Sequence, residues 1–257
     1  MLLAVDVGNT HTVLGVYSGE KLAAHWRMSS LAHRTADENW LMIRSFCDGA
    51  DISLKEIHRV GISSVVPELT DVFESISRQY FRVEPVTVTA SLDLGLKILY
   101  TDPGSVGADR LCNAIAGFAK YGGPLIVVDF GTATTYDVIS ATGDYLGGII
   151  TIGLEAAAAE LHRRAAKLPR IDLRFPDTVI GRDTTSSMQS GLMFGTVETI
   201  EGIVVRIRRE LESTARVIAT GGLAGLVAEH TDFIEACEPT LVLDGVRLVC
   251  ERLHPGD

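Results

Sequence analysis

The sequence predicts an α/β fold of two related halves, each a mixed β-sheet flanked by helices, and three observations predict it. A β-rich opening gives way to alternating strand and helix patterns, as in an α/β domain with a mixed sheet. Hydrophobic residues make up 46% of the 257 residues and charged residues 22%, so the chain can bury a sizeable core, as one large domain or two. The opening pattern then recurs: an apolar run ending on Asp6 has its echo in one ending on Asp129, each with a glycine two residues on, a turn rich in small polar side chains and two further strands.

The first strand starts at Leu2 and ends on Asp6, opening the stretch Asp6-Val7-Gly8-Asn9-Thr10-His11-Thr12-Val13. Gly8 lets backbone approach a ligand without a Cβ clash, and amide groups with Thr hydroxyls can wrap phosphate oxygens; an ordinary hairpin whose Asp and Asn serve the turn is the alternative. No Lys or Arg lies between Met1 and Ser18. A Walker-type loop brings its own lysine, so an anion held here needs a bound cation. Val13–Tyr17 and Lys21–Arg27 read as the second and third strands of a meander about Ser18-Gly19-Glu20.

Thr35-Ala36-Asp37-Glu38 has the form of a capping box, and Trp40, Leu41, Ile43 and Phe46 follow at helical spacing, with the helix ending before Gly49. Arg59–Val65 predicts a buried strand, Pro67 starts a helix through about Tyr80, and Val83–Thr89 predicts another strand. In Asp102-Pro103-Gly104-Ser105-Val106-Gly107-Ala108-Asp109-Arg110-Leu111 a tight loop leads into a helix, Leu111–Tyr121. Asp109 can accept a proton while Arg110 holds an anionic substrate by bidentate hydrogen bonds. Alternatively, Asp109 complements the helix dipole and Arg110 is a surface residue.

The second meander comprises the run from Leu125 to Asp129, then Tyr136–Ser140, a turn at Gly143 and Tyr145–Thr151. If the halves face each other, both carboxylates point into one cleft that can hold a phosphate chain and its cation. Leu154–Lys167 is helical in pattern, stopped before Pro169, and Pro169–Pro176 reads as a loop. Apolar residues keep helical spacing from Thr184 to Glu212 although Gly191, Gly195 and Gly202 fall inside, which calls for close packing against another helix or subunit. Arg216–Ala219 reads as a strand, 220–225 as a glycine-rich turn into a helix, and Pro239–Leu253 as a terminal helix.

A formal charge of −10 argues against general affinity for nucleic acid or an anionic membrane. Cys47, Cys112, Cys237 and Cys250 are widely spaced, with neither a C-x-x-C pair nor zinc-type histidine spacing, so reduced, mostly buried thiols in a cytoplasmic protein are expected. No basic region precedes the short N-terminal apolar run, which predicts no signal peptide, and no run approaches the roughly 20 residues of a membrane span.

Taken together, the motifs DVGNTHTV (6–13), HWR (25–27), RTADE (34–38), DPGSVGADRLCNA (102–114), VVDFGTATTYDV (127–138), GGIITIGL (147–154), SMQSG (187–191) and TGGLA (220–224) resemble, in order, those of the type III pantothenate kinases. The resemblance covers essentially the whole chain. It implies two duplicated ribonuclease H-like (actin-like ATPase) domains, here 1–115 and 116–257, with a cleft between them. It implies ATP-dependent phosphorylation of pantothenate to 4'-phosphopantothenate, the first step of coenzyme A biosynthesis, in a homodimer with the pantothenate pocket near its interface.

Carried over by position, Asp6, Val7, Gly8, Asn9, Thr10, His11, Thr12 and Val13 bind ATP phosphates, with Asp6 helping to place Mg²⁺, and Thr132 is an ATP contact. Asp109 is the base, and Tyr100, Gly107, Ala108, Arg110 and Thr184 contact pantothenate. Asp129 matches the ligand of a monovalent cation, K⁺ or NH₄⁺. Gly221 and Gly222 correspond to an adenosine-side turn. His11 stands where the family pattern has Asn, and Asp183 likewise, which sets negative charge beside a carboxylate substrate. A nonenzymatic nucleotide-responsive regulator on the same fold, a kinase for another small molecule and a polyphosphate-cleaving hydrolase are the competing readings; Asp109 within GADR favours an enzyme with a second substrate.

Overall fold

The structure, a computed structural model, describes residues 1–254. The chain forms two compact units, Met1–Ala119 joined by the chain from Thr240, and Lys120–Pro239. The first opens with the meander β1 (Leu2–Val7), β2 (His11–Ser18) and β3 (Lys21–Ser29), continues with α1 (Ala36–Gly49), β4 (Arg59–Ser64), α2 (Pro67–Ile76) and β5 (Val86–Thr87), and reaches α3 (Ala108–Tyr121), whose last two residues fall past the unit boundary. Its sheet order is β3-β2-β1-β4-β5, with β1 antiparallel to β2 and parallel to β4.

The second unit repeats that plan with β6 (Leu125–Phe130), β7 (Ala133–Ile139), β8 (Tyr145–Ile152), α4 (Leu154–Arg164), α5 (Thr184–Glu210), β9 (Arg216–Gly221), α6 (Ala224–Ala228) and β10 (Ala236–Cys237). Its order, β10-β9-β6-β7-β8, is the same arrangement with β6 in the place of β1 and β9 in the place of β4. Even the register irregularity recurs, at Val16/Tyr17 and at Val138/Ile139. Each unit is thus a mixed sheet flanked by helices, as the sequence predicts of a ribonuclease H-like duplication.

Period-2 alternation sorts each central strand into two faces. Leu3, Val5 and Val7 of β1 join Ile43, Ile62, Leu69 and Phe73 in one core, which leaves Asp6 on the opposite face. In the second unit Ile126, Val128 and Phe130 pack with Met193, Val197, Ile200 and Val204 of α5, and Asp129 is the odd position.

The expected break at 115/116 differs from the observed one, and the terminal helix is the reason. Helix α7 (Leu241–Leu253) packs its buried Leu241, Leu243, Val246, Val249 and Cys250 with the first unit. Close approach there needs glycine: a Cβ on Gly61 of β4 would lie 2.5 Å from Cys250 Sγ, and one on Gly245 would lie 2.2 Å from the Cys112 carbonyl oxygen. Tyr17 on β2 donates to Asp244 Oδ1 at 2.6 Å and fastens the helix start.

Two other expectations need correction. Strand β5 covers only Val86–Thr87 because Ser77 takes up both backbone groups of Val83, through its carbonyl and its hydroxyl, and Pro85 has no N–H to donate. Helix α4 ends at Arg164, where His162 Nδ1 meets the Leu168 carbonyl at 2.7 Å as the chain turns. Helix α5 runs unbroken through Gly191, Gly195 and Gly202, and a Cβ on any of them would meet nothing within 4 Å. They lie on the exposed face, opposite the buried Met193, Val197, Ile200 and Val204.

Cys47, Cys112 and Cys250 are buried free thiols, and Cys237 is exposed. Among the described residues no helix is long and apolar enough to cross a membrane.

Candidate active site

β1 delivers Asp6 to the end of the central strand, in register with Val13 on one side and Ser63 on the other. Ser63, fully buried, donates from Oγ to Asp6 Oδ1 at 3.0 Å. The turn that follows is tight: Gly8 N–H donates to the His11 carbonyl at 3.0 Å, leaving Asn9, Thr10 and His11 exposed. Val7 is buried in the core and Val13 is half-buried. Thr12 is fully buried, its Oγ1 2.8 Å from Ser30 Oγ, and Ser30 N–H donates to the Thr10 carbonyl at 3.0 Å. The loop therefore presents backbone and the side chains of 9–11, while Thr12 braces it from beneath.

Asp109 is the second residue of α3, half-buried, with Oδ1 accepting from the Arg110 N–H at 2.8 Å. Gly107 makes this placement possible, because a Cβ there would stand 2.4 Å from Asp109 Oδ1. Burial pushes the Asp109 carboxyl above its ordinary value; the Arg110 N–H and the guanidinium charge pull the other way and lose. Arg110 is 7% exposed, Ala108 is buried and Tyr100 is half-buried.

Cys112, one turn beyond Asp109, ties these pieces together. Its thiol is pushed far up, first by complete burial and then by the carboxylates of Asp6 and of Asp109, while a hydrogen bond with Ser63 opposes the shift. A single buried sulfur thus lies within electrostatic reach of both acids.

In the second unit Asp129, next to last in β6, is in register with Thr135 and Thr220. Gly221 follows with φ +91°, and a Cβ there would lie 2.7 Å from Asp129 Oδ1 and 2.5 Å from the Phe130 carbonyl oxygen, so only glycine fits. The carbonyls of Gly131 and Thr132 turn toward Gly153, whose absent Cβ would be 2.6 and 2.4 Å from them. Thr132 is exposed. Thr184, also exposed, is the first residue of α5. The N-cap is Asp183, whose Oδ1 accepts from Ser186 N–H at 2.9 Å. That bond holds the Asp183 carboxyl below its usual range, so its charge serves the helix start.

Within the first unit Asp6 and Asp109 both lie within electrostatic reach of Cys112; within the second Asp129 sits against Gly221. Sequence reasoning missed Ser63, which it counted only as part of a buried strand. The available signal was a hydroxyl pair, Ser63-Ser64, closing an otherwise apolar run.

A type III pantothenate kinase family model matches residues 2–206. The type III pantothenate kinase of Exiguobacterium sp. is 48% identical over 252 residues, covering 98% of this chain and 99% of that one. That of Roseiflexus sp. is 47% identical over 251 residues, covering 98% of each. Among solved structures, the activator of the 2-hydroxyisocaproyl-CoA dehydratase from Clostridium difficile with bound ADPNP aligns with a TM-score of 0.58 at 12% identity, covering 100% of this chain and 98% of that one. That likeness is one of fold, the actin-like ATPase duplication already described. With near-complete coverage by close relatives, the chain belongs to the type III pantothenate kinase family, kinases of coenzyme A biosynthesis.

Proposed function

We propose that this chain transfers the terminal phosphoryl group of ATP to the hydroxyl of pantothenate, giving 4'-phosphopantothenate, with Asp109 as general base. The observation that supports this reading is the half-buried Asp109 at the start of α3, in the space that Gly107 leaves open, in the same unit as Asp6 at the end of β1. Phosphoryl transfer has a loose transition state, so placement of the hydroxyl matters more than strong deprotonation. A carboxylate whose proton affinity is raised by burial is suited to orient an alcohol and take its proton late. Arg110 holds the pantothenate carboxylate, and Tyr100, Gly107, Ala108 and, in the second unit, Thr184 complete the substrate contacts. Residues 6–13 contact the ATP phosphates through the exposed turn, and Thr132 is an ATP contact of the second unit.

The donors fit two cations. Mg²⁺ takes one or two carboxylates with phosphate oxygens and waters, and Asp6 stands half-buried beside the exposed turn as one such donor. Asp129, with the carbonyl-lined turn of Gly131 and Thr132, fits a monovalent cation, K⁺ or NH₄⁺, which carbonyl and carboxylate oxygens hold. Bound there, the cations supply the positive charge that a loop without Lys or Arg lacks. The enzyme acts in the cytoplasm as a homodimer, and the outward glycine-bearing face of α5 is the candidate contact surface.

The test is ADP formation from ATP, with and without pantothenate, each with and without K⁺. Pantothenate-dependent, K⁺-stimulated turnover is expected. Hydrolysis indifferent to pantothenate, or no turnover, overturns the assignment.

A further inference from the structure

Ser63 is buried to 0% exposure at the end of β4, where the preceding Val60 and Ile62 are apolar core. A hydroxyl in such a place needs a partner, and it has two. Its Oγ donates to Asp6 Oδ1 at 3.0 Å, and it shares a hydrogen bond with the Cys112 thiol. Ser63 therefore links Asp6, at the end of β1, to Cys112 on the helix that carries Asp109. The second unit repeats the arrangement in register, with the buried Thr220 opposite Asp129 at the end of an apolar strand.

We propose that Ser63 is a positioning residue for the reaction, fixing the Asp6 carboxylate in the rotamer that receives the Mg²⁺ of bound nucleotide. The inference rests on the reading of Asp6 as a Mg²⁺-side acid. A hydrogen bond to a charged group is worth about 1.5–3 kcal/mol, so its loss corresponds to roughly 10- to 100-fold in an affinity it controls. Ser63→Ala should raise the half-saturating Mg²⁺ concentration by about 10-fold or more while leaving the pantothenate KM unchanged. Calorimetry, which needs no turnover, should show MgATP binding weakened by a similar factor and metal-free ATP binding unaltered. Ser63→Thr, which keeps the hydroxyl, should restore both. Should Ser63→Ala melt below the assay temperature, the near-isosteric Ser63→Cys, a weak donor, carries the same expectation.

Wild-type Mg²⁺ dependence and MgATP affinity in Ser63→Ala overturn the proposal. So does a loss that Thr fails to rescue, or one that weakens metal-free ATP and pantothenate equally, since each marks a merely structural residue. If the wild-type chain fails to phosphorylate pantothenate, the assigned function falls, and the MgATP calorimetry still decides the role of Ser63.

Discussion

Gly107 leaves open the space that the Asp109 carboxylate fills: a Cβ there would stand 2.4 Å from Asp109 Oδ1 and 3.4 Å from Val65 Cγ1. The loop residue is therefore matched to the side chain two positions on. Gly107→Ala should displace the carboxylate, and a misplacement of about 1 Å is worth on the order of 10² in rate. A kcat lowered by about 10–10² with a near-normal melting temperature is expected. Unchanged kcat would mean that the Asp109 position is not critical.

Asp109→Asn should lower kcat by about 10²–10⁴, the usual scale for a general base, with weaker effects on ATP binding. Stability should move the other way. Burial raises the folded carboxyl above its ordinary value, so the stabilising protonated form is fully present below the unfolded value and is lost as pH rises through the folded one. At pH 7–8 the neutral amide escapes that penalty, and the variant should melt at or above the wild-type temperature. The difference should vanish below about pH 3, where both states carry the proton. A clear loss of melting temperature at pH 8 would show that the charge of Asp109 stabilises the fold.

Much of this was legible in the residues. The Asp6 and Asp129 meanders are local patterns, since strand period and turn glycines are written in consecutive positions, and Gly19 and Gly143 do adopt positive φ. The capping box at Thr35 and Glu38 formed as spelled. What escaped depends on partners distant in sequence. Helix α7 has an ordinary amphipathic pattern, and its return to the first unit shows in contacts distant in sequence, such as those at Gly61 and Gly245. Ser63 gains meaning only from the register that sets it beside Asp6. Asp183 looked like an intruding charge because capping by a side chain depends on backbone geometry at Ser186.

Asp129→Ala should reduce both turnover and the response to K⁺. The neighbouring Gly221→Ala tests the same corner through the backbone: positive φ in a non-glycine residue is strained by about 1–3 kcal/mol, and the added methyl meets Asp129 Oδ1. Scanning calorimetry should show a loss of several degrees, with K⁺ activation weakened in parallel. K⁺ activation unchanged in Asp129→Ala would remove the cation role from this residue.

Gly245→Ala probes the join between α7 and α3, the helix that carries Asp109. Its Cβ would fall 2.2 Å from the carbonyl oxygen of Cys112, backbone that has little freedom to yield because Cys112 lies within α3. Overpacking of this kind destabilises by about 1–3 kcal/mol, and each kcal/mol shifts the melting temperature of a chain this size by about 2–4 °C. A lower melting temperature alone would report packing. Because Asp109 sits one turn before Cys112 on the same helix, displacing that turn should also lower kcat at temperatures where the variant remains folded. A variant that melts early yet keeps full kcat in the cold would show that α7 stabilises the first unit without setting the position of the base.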